Sequence, residues 1–328
     1  MGRLQKLLSK PIQDKNTTEN ILQQHDLIYV SSSMQGWRKK MEDIHTIEIN
    51  IPGFSNYSFF GIYDGHCGKD TAQYISKNLH HNIFKKLDEL GEKNIENAIK
   101  DAFMKTDDDW KIEIGIEPSS DEYDVKKSIY SAKSSGSTAV IAVVTPDKIV
   151  YVGNTGDSRA VMSVAGLAVP LSEDHKPYNE NESQRIKQAG GYIIENRVMG
   201  LNLSRAFGDF QCKENYDKKP EEQMIIAQPD VKSYKINTST DFLVLACDGI
   251  WDCMSSQEVI DFIYEEIQLN HDLSKACENL LNRCLNYYNA SHCLTSTDNM
   301  TIIIIGFLHG LEKEKWLEQI SYRCANEE

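Results

Sequence analysis

Two apolar runs, Val140–Val144 and Ile149–Val152, are joined by a Thr145-Pro146-Asp147 turn. A link that short cannot hold the crossover helix that parallel neighbours need, so the pair must run antiparallel. Yet both runs are continuously apolar rather than alternating, which is the mark of strands covered on both faces. An antiparallel sheet buried on both sides requires a packed layer above and below. Similar runs recur at Tyr57–Tyr63, Ser137–Val144, Lys148–Gly153, Arg159–Val164, Asp241–Cys247 and Met300–Phe307, and each reads as a strand.

Helical periodicity arrives in adjacent pairs instead of between successive strands. The first pair spans about 70–90, with Ala72, Ile75, Leu79, Ile83, Phe84 and Leu87 inward and an end near Gly91, then about 94–110. The second spans about 256–268, capped by Ser255 or Ser256, then about 272–288, with Leu273, Ala276, Leu280, Leu281 and Cys284 inward. Doubly buried antiparallel strands and paired helices predict an α+β fold, a four-layer α-β-β-α sandwich with helix pairs on both outer faces.

Residues 1–26 are polar with little periodicity and read as an N-terminal extension. Residues 27–308 read as one domain, and 309–328, containing LEKEKWLEQI, as a charged helical tail. The polar stretch 177–226 is expected to pack as a flap, with a helix over about 180–189 that stops at Gly190-Gly191.

The net charge of −14 and the lack of a basic stripe exclude nucleic acid as the natural partner. An acidic protein that handles phosphate needs cations for it. Eight cysteines without a CxxC pair, and no apolar leader, point to free thiols in a reducing compartment, the cytoplasm or nucleus. No apolar run is long enough to cross a bilayer. Gly2 leaves N-myristoylation as a route to a membrane, although Lys6 replaces the preferred Ser or Thr.

Four aspartates share one kind of place, a turn abutting a strong strand. Asp64 follows YSFFGIY, Asp248 follows FLVLAC, Asp157 precedes RAVMSV and Asp298 precedes MTIIIIGF. A single Asp-Gly is most often only a turn. Four such residues at the ends of the most buried strands converge on one edge of a domain. Two carboxylates 4 Å apart repel by about 4 kcal/mol at an effective dielectric near 20, so a cluster needs cations to persist. All-oxygen ligand sets select Mg²⁺, Mn²⁺ or Ca²⁺ over zinc. A second charged cluster, Trp37-Arg38-Lys39-Lys40-Met41-Glu42-Asp43, is either a solvated edge or a phosphate-binding segment. If it is a strand, Arg38, Lys40 and Glu42 share a face, and Arg38 offers a planar bidentate phosphate partner.

The segment SSMQGWRKKMEDIH resembles the first signature of the PPM/PP2C family of metal-dependent serine/threonine phosphatases. The resemblance continues in the family's order through FFGIYDGHCG, SGSTAV, VGNTGDSRAV, LSEDHKP, LSRAFGD, ACDGIWD and TSTDNMTIII, covering about 30–308. Cys67 departs from the small residue usual in DGHxG, and Asn202 from that usual before LSRAFGD. The resemblance implies a catalytic domain that hydrolyses phosphoserine and phosphothreonine in proteins with two Mg²⁺ or Mn²⁺ ions. By the same resemblance Asp64 bridges the ions, the Gly65 carbonyl binds one, and Asp248 and Asp298 bind the other. Glu42 and Asp43 orient waters, Arg38 holds the phosphate, and His66 is the acid. Asp157 and Asp209 resemble positions linked to a further, weaker metal.

That scheme has in-line attack by a water or hydroxide bridging the two ions, with His66 protonating the departing oxygen. The alternative for His66 is a residue that merely orients Asp64. A thiol route through Cys67 lacks the Cys-x₅-Arg loop, because Gln73 stands six residues on. Phosphorylated proteins are the expected partners of an expected monomer. A non-catalytic relative and an acidic binding module are the rival readings; the first predicts a lost ligand, and none is lost.

Overall fold

A computed structural model describes residues 7–116, 132, 134–291 and 297–324. Gly2 and Lys6 therefore lie outside the described residues. Two antiparallel sheets stack face to face, as expected. The first orders its strands β1 (Ile12–Leu22), β2 (Leu27–Gly36), β14 (Met300–Phe307), β13 (Thr240–Ala246), β9 (Arg159–Val164) and β10 (Leu167–Pro170). The second orders β12 (Asp230–Lys235), β8 (Ile149–Thr155), β7 (Ala139–Val144), β4 (Phe54–Tyr63) and β3 (Ile44–Ile51).

The continuous apolar runs now have their reason. In β13, Leu243 and Leu245 enter the layer between the sheets with Ile303, Ile305 and Phe60, while Phe242, Val244 and Ala246 face helices. In β7, Val140 and Ala142 face the other sheet, and Ile141 and Val143 face helices. Helices α1 (Asp70–Leu90) and α2 (Ile95–Glu113) cover the second sheet. Helices α5 (Ser256–Asn270) and α6 (Leu273–Ser291) cover the first. Ser255 caps α5: its hydroxyl accepts from the Glu258 amide at 3.3 Å, and the Glu258 carboxylate accepts from the Ser255 amide at 2.7 Å.

Three stretches go beyond what the sequence specified. Within the supposed extension, β1 pairs along its length with β2, from Leu22 opposite Leu27 to Ile12 opposite Gly36. The charged tail forms a helix, α7 (Lys313–Cys324), and it is packed: Trp316 and Ile320 are fully buried on the α5–α6 side. The charged segment 37–43 is a turn and extended link between β2 and β3, not a strand. The flap expectation stands: α3 (Glu180–Gln188) and the chain after it form a small core of their own from Ile186, Val198, Leu203, Cys212 and Ile225.

Candidate active site

Asp64 leaves β4 at the end of the second sheet, and its backbone is pinned from both directions. Its carbonyl accepts from the Thr138 amide at 2.9 Å, and its own amide donates to the Thr138 hydroxyl at 3.3 Å. That hydroxyl also bonds Ser158 at 2.8 Å, which ties the Asp64 turn to the one carrying Asp157. Asp248 begins a single helical turn, α4 (Asp248–Trp251), at the end of β13 in the first sheet. Asp298 lies just before β14. The two turns nearly touch: a Cβ on Gly249 would meet the Asn299 carbonyl oxygen at 2.0 Å, so only glycine permits this approach.

Asn299, which sequence reasoning passed over, shapes the Arg38 segment. Its side-chain amide donates to the carbonyls of Gln35 at 2.8 Å and Lys40 at 3.0 Å, and its oxygen accepts from the Glu42 amide at 2.8 Å. The signal was available: a side-chain amide between Asp298 and a fully buried strand carries two donors and an acceptor that must find partners there. Arg38, so placed, forms an ion pair with Asp298.

These turns surround one cavity of about 580 Å³. Glu42, Asp64, Asp157, Asp248 and Asp298 line it, together with Arg38, Gly65, His66 and Cys67. Asp43 does not. It is buried beneath, accepting from the Thr301 hydroxyl at 2.7 Å. Asp209 also lies outside the lining. Its carboxylate contacts His66 Nε2 at 2.7 Å. A three-stranded ribbon makes that contact: β5 (Gly65–His66) pairs with β6 (Gly136–Ser137), which pairs with β11 (Phe207–Gly208). Gly136 lies opposite His66. A Cβ there would come within 2.3 Å of His66 Nε2 and 2.2 Å of the Asp209 carboxylate.

Electrostatics single out the same residues. Burial, followed by the charges of Asp248, Asp43, Asp298 and Asp157, holds the Asp64 carboxyl far above its ordinary range. Burial and then Asp157, Asp298 and Asp252 do the same to Asp248. Burial raises Asp298 while Arg38 opposes the rise. Burial pushes Asp43 up to about 7. Asp252, another residue not anticipated, is pushed up to about 6 by burial despite the nearby Lys176 ammonium. For His66, burial opposes the charged form, but Asp209, Asp157 and Glu42 outweigh it and raise the imidazole above its usual value.

So many acids turned toward protonation are what a carboxylate cluster shows when its countercharge is a divalent ion. Carboxylate oxygens dominate the donors that line the cavity, the set a hard divalent cation takes. The tightest group of ligating atoms among the described residues is Asp43, Asp64 and Cys247, mutually within 4.8 Å. Cys247 is a poor ligand there. Burial drives its thiol well above the ordinary value, and its sulfur is already engaged with the Asn299 carbonyl and the Thr301 amide. Lys176 Nζ lies 2.6 Å from the Asp157 carboxylate, so this member of the cluster carries a cation supplied by the chain itself.

A family model described as Protein phosphatase 2C matches residues 28–292. A protein of Hypocrea jecorina named Protein phosphatase 2C homolog 2 is 41% identical over 97% of this chain and 70% of its own length. One of the same name from Aspergillus fumigatus is also 41% identical, over 91% and 69%. Among solved structures, a phosphatase of Toxoplasma gondii superposes with a TM-score of 0.74 at 26% identity, covering 90% of this chain and 96% of that one.

Proposed function

Since the chain belongs to the protein phosphatase 2C family of protein serine/threonine phosphatases, we propose that its acidic cavity hydrolyses phosphoserine and phosphothreonine esters of proteins with two divalent ions, Mg²⁺ or Mn²⁺. The observation that carries this reading is the gathering of five carboxylates, an arginine and a histidine from distant parts of the chain around one cavity.

Asp64, the Gly65 carbonyl, Asp248 and Asp298 would hold the two ions, with Asp64 placed to serve both. When bound, the ions supply countercharge and an activated water for in-line attack on phosphorus. The rest is the work of the chain. Arg38, fixed by Asn299 and paired with Asp298, presents a planar cation to the non-bridging phosphate oxygens. Glu42 faces the cavity and orients solvent, while Asp43 lies beneath, anchored to the Thr301 hydroxyl. His66, kept protonated by Asp209, delivers a proton to the departing serine or threonine oxygen, a poor leaving group without one. A further ion at Asp157 would have to displace the Lys176 ammonium. Asp209, engaged with His66, serves the proton rather than that ion.

Six cysteines stand free among the described residues, which suits a reducing compartment and so the cytoplasm or nucleus. No helix among those residues is long and apolar enough to cross a membrane. The test is hydrolysis of p-nitrophenyl phosphate and of a phosphoserine peptide, with Mn²⁺ or with EDTA. Activity is expected only with the metal, and falls by about 10³-fold or more in Asp248→Asn. Full activity in chelator overturns the proposal.

A further inference from the structure

The charges lining the cavity are sorted by depth. Each carboxylate there is partly or wholly buried, whereas the three exposed charged side chains, Lys39, Lys40 and Arg197, are all cations. In a chain of net charge −14, with 49 acids against 35 bases, a uniformly positive rim is not the expected sampling of the surface. None of the three forms an ion pair among the described residues. They come from two separate segments, the link between β2 and β3 and the flap. The catalytic scheme uses Arg38 from the first segment and leaves these three without a task.

The flap holds its cation on a stiff support. Ile194 and Arg197 exchange backbone hydrogen bonds at 2.9 Å in both directions, and Val198 and Leu201 do so at 3.0 and 2.8 Å. Two tight turns thus stand in tandem, with Glu195 and Asn196 at φ 50° and 62° in one, and Met199 and Gly200 at φ 50° and 89° in the other. Three non-glycine residues in the left-handed region carry strain that persists only where the surroundings fix it, and such strain gathers at ligand clamps. Here Val198, buried in the flap core, anchors the pair of turns, and the Arg197 guanidinium donates to the Gly200 carbonyl at 2.9 Å.

We infer that Lys39, Lys40 and Arg197 select phosphorylated segments whose neighbouring residues are acidic. This rests on the phosphatase reading above. The phosphoryl group descends to the carboxylate floor, and the residues on either side of it pass the exposed cations. Contacts made by flanking residues, remote from the reacting phosphorus, strengthen ground state and transition state alike. They therefore act on KM rather than kcat. Being solvent-exposed, they weaken as salt rises.

Two phosphoserine peptides, identical except for Asp or Lys on both sides of the phosphoserine, test the inference with the full chain in Mn²⁺. At low salt the acidic peptide is expected to have a kcat/KM about tenfold higher, the sum of a few exposed pairs each worth a few-fold. Arg197→Glu and the Lys39→Glu/Lys40→Glu pair should shrink or invert that ratio through KM, with Arg197→Gln falling between. The ratio is taken within one variant, so general losses of folding or metal cancel. Equal kcat/KM for both peptides in the wild type, or an unchanged ratio in both charge-reversed variants, overturns the inference. Wild-type protein that cleaves neither peptide nor p-nitrophenyl phosphate overturns the phosphatase reading itself.

Discussion

Asp64 and Asp248 carry a conflict inside single side chains: each faces a cavity, yet each is crowded by other acids that oppose its charge. Removing one charge should therefore help the metal-free protein while ruining the enzyme. In EDTA, Asp64→Asn or Asp248→Asn is expected to raise the Tm by about 2 °C, roughly 1 kcal/mol of relieved repulsion, by differential scanning calorimetry. A fall in Tm would mean these carboxylates stabilise the fold. Gly136 offers a steric test of the proton donor. Gly136→Ala forces a methyl group between His66 and Asp209, so it should act like His66→Gln. Both should slow a phosphoserine peptide by about 10²-fold and p-nitrophenyl phosphate far less, because nitrophenolate leaves without a proton. Equal losses on the two substrates would assign His66 a purely structural part.

Among the elements, the flap depends on a buried charge cluster. The Glu182 carboxylate accepts from Arg205 at 2.7 Å, Arg185 at 2.8 Å and the Ser204 hydroxyl at 2.6 Å. Burial alone would raise its pKa, but these bonds win and lower it to about 2. A depressed carboxylate stabilises the fold above its unfolded pKa near 4.5 and loses that contribution as pH falls toward 2. The shift corresponds to about 3 kcal/mol at most. Urea titrations should thus show Glu182→Gln much less stable than wild type at pH 7, with the gap closing between about pH 4.5 and 2. A gap that stays constant across that window would exclude the charge as its source.

Element by element, legibility followed burial. The helices of 70–90 and 256–270 and the strands β7, β13 and β14 were readable because their side chains alternate between two apolar environments with fixed periods. Strand β1, by contrast, was invisible. Its sequence IQDKNTTENIL is polar because it is an exposed edge, and what holds it is backbone pairing with β2, which propensity does not record. Strand β2 was masked by its serines: Ser31 and Ser32 are buried, and Ser32 bonds Thr17 at 2.8 Å. The site was legible as a set of residue types beside strands. The contact of Asp209 with His66 was not, since it depends on a two-residue ribbon that brings together residues 143 positions apart.

On the scale of the whole molecule, the two sheets contribute unequally and jointly to the acidic floor. Asp64 hangs from the second sheet, Asp248 and Asp298 from the first, and Asp157 from the link between them. Ions bound there as proposed would stabilise the folded state by mass action, about 2.7 kcal/mol at a hundredfold excess over Kd for one site. Titrated Mn²⁺ should raise the Tm continuously in wild type and barely in Asp248→Asn. Amide hydrogen exchange should slow at the ends of β4, β13 and β14 together; slowing confined to one sheet would show that the ions do not bridge the seam.

With the ions bound as proposed, that seam would make metal loading and sheet alignment a single equilibrium. An ion held as proposed would act as a rivet through a laminate, and a partner that pried the layers apart at this end would empty the site without touching a ligand. Neither layer alone carries the proposed ligand set, since Asp64 belongs to one sheet and Asp248 and Asp298 to the other.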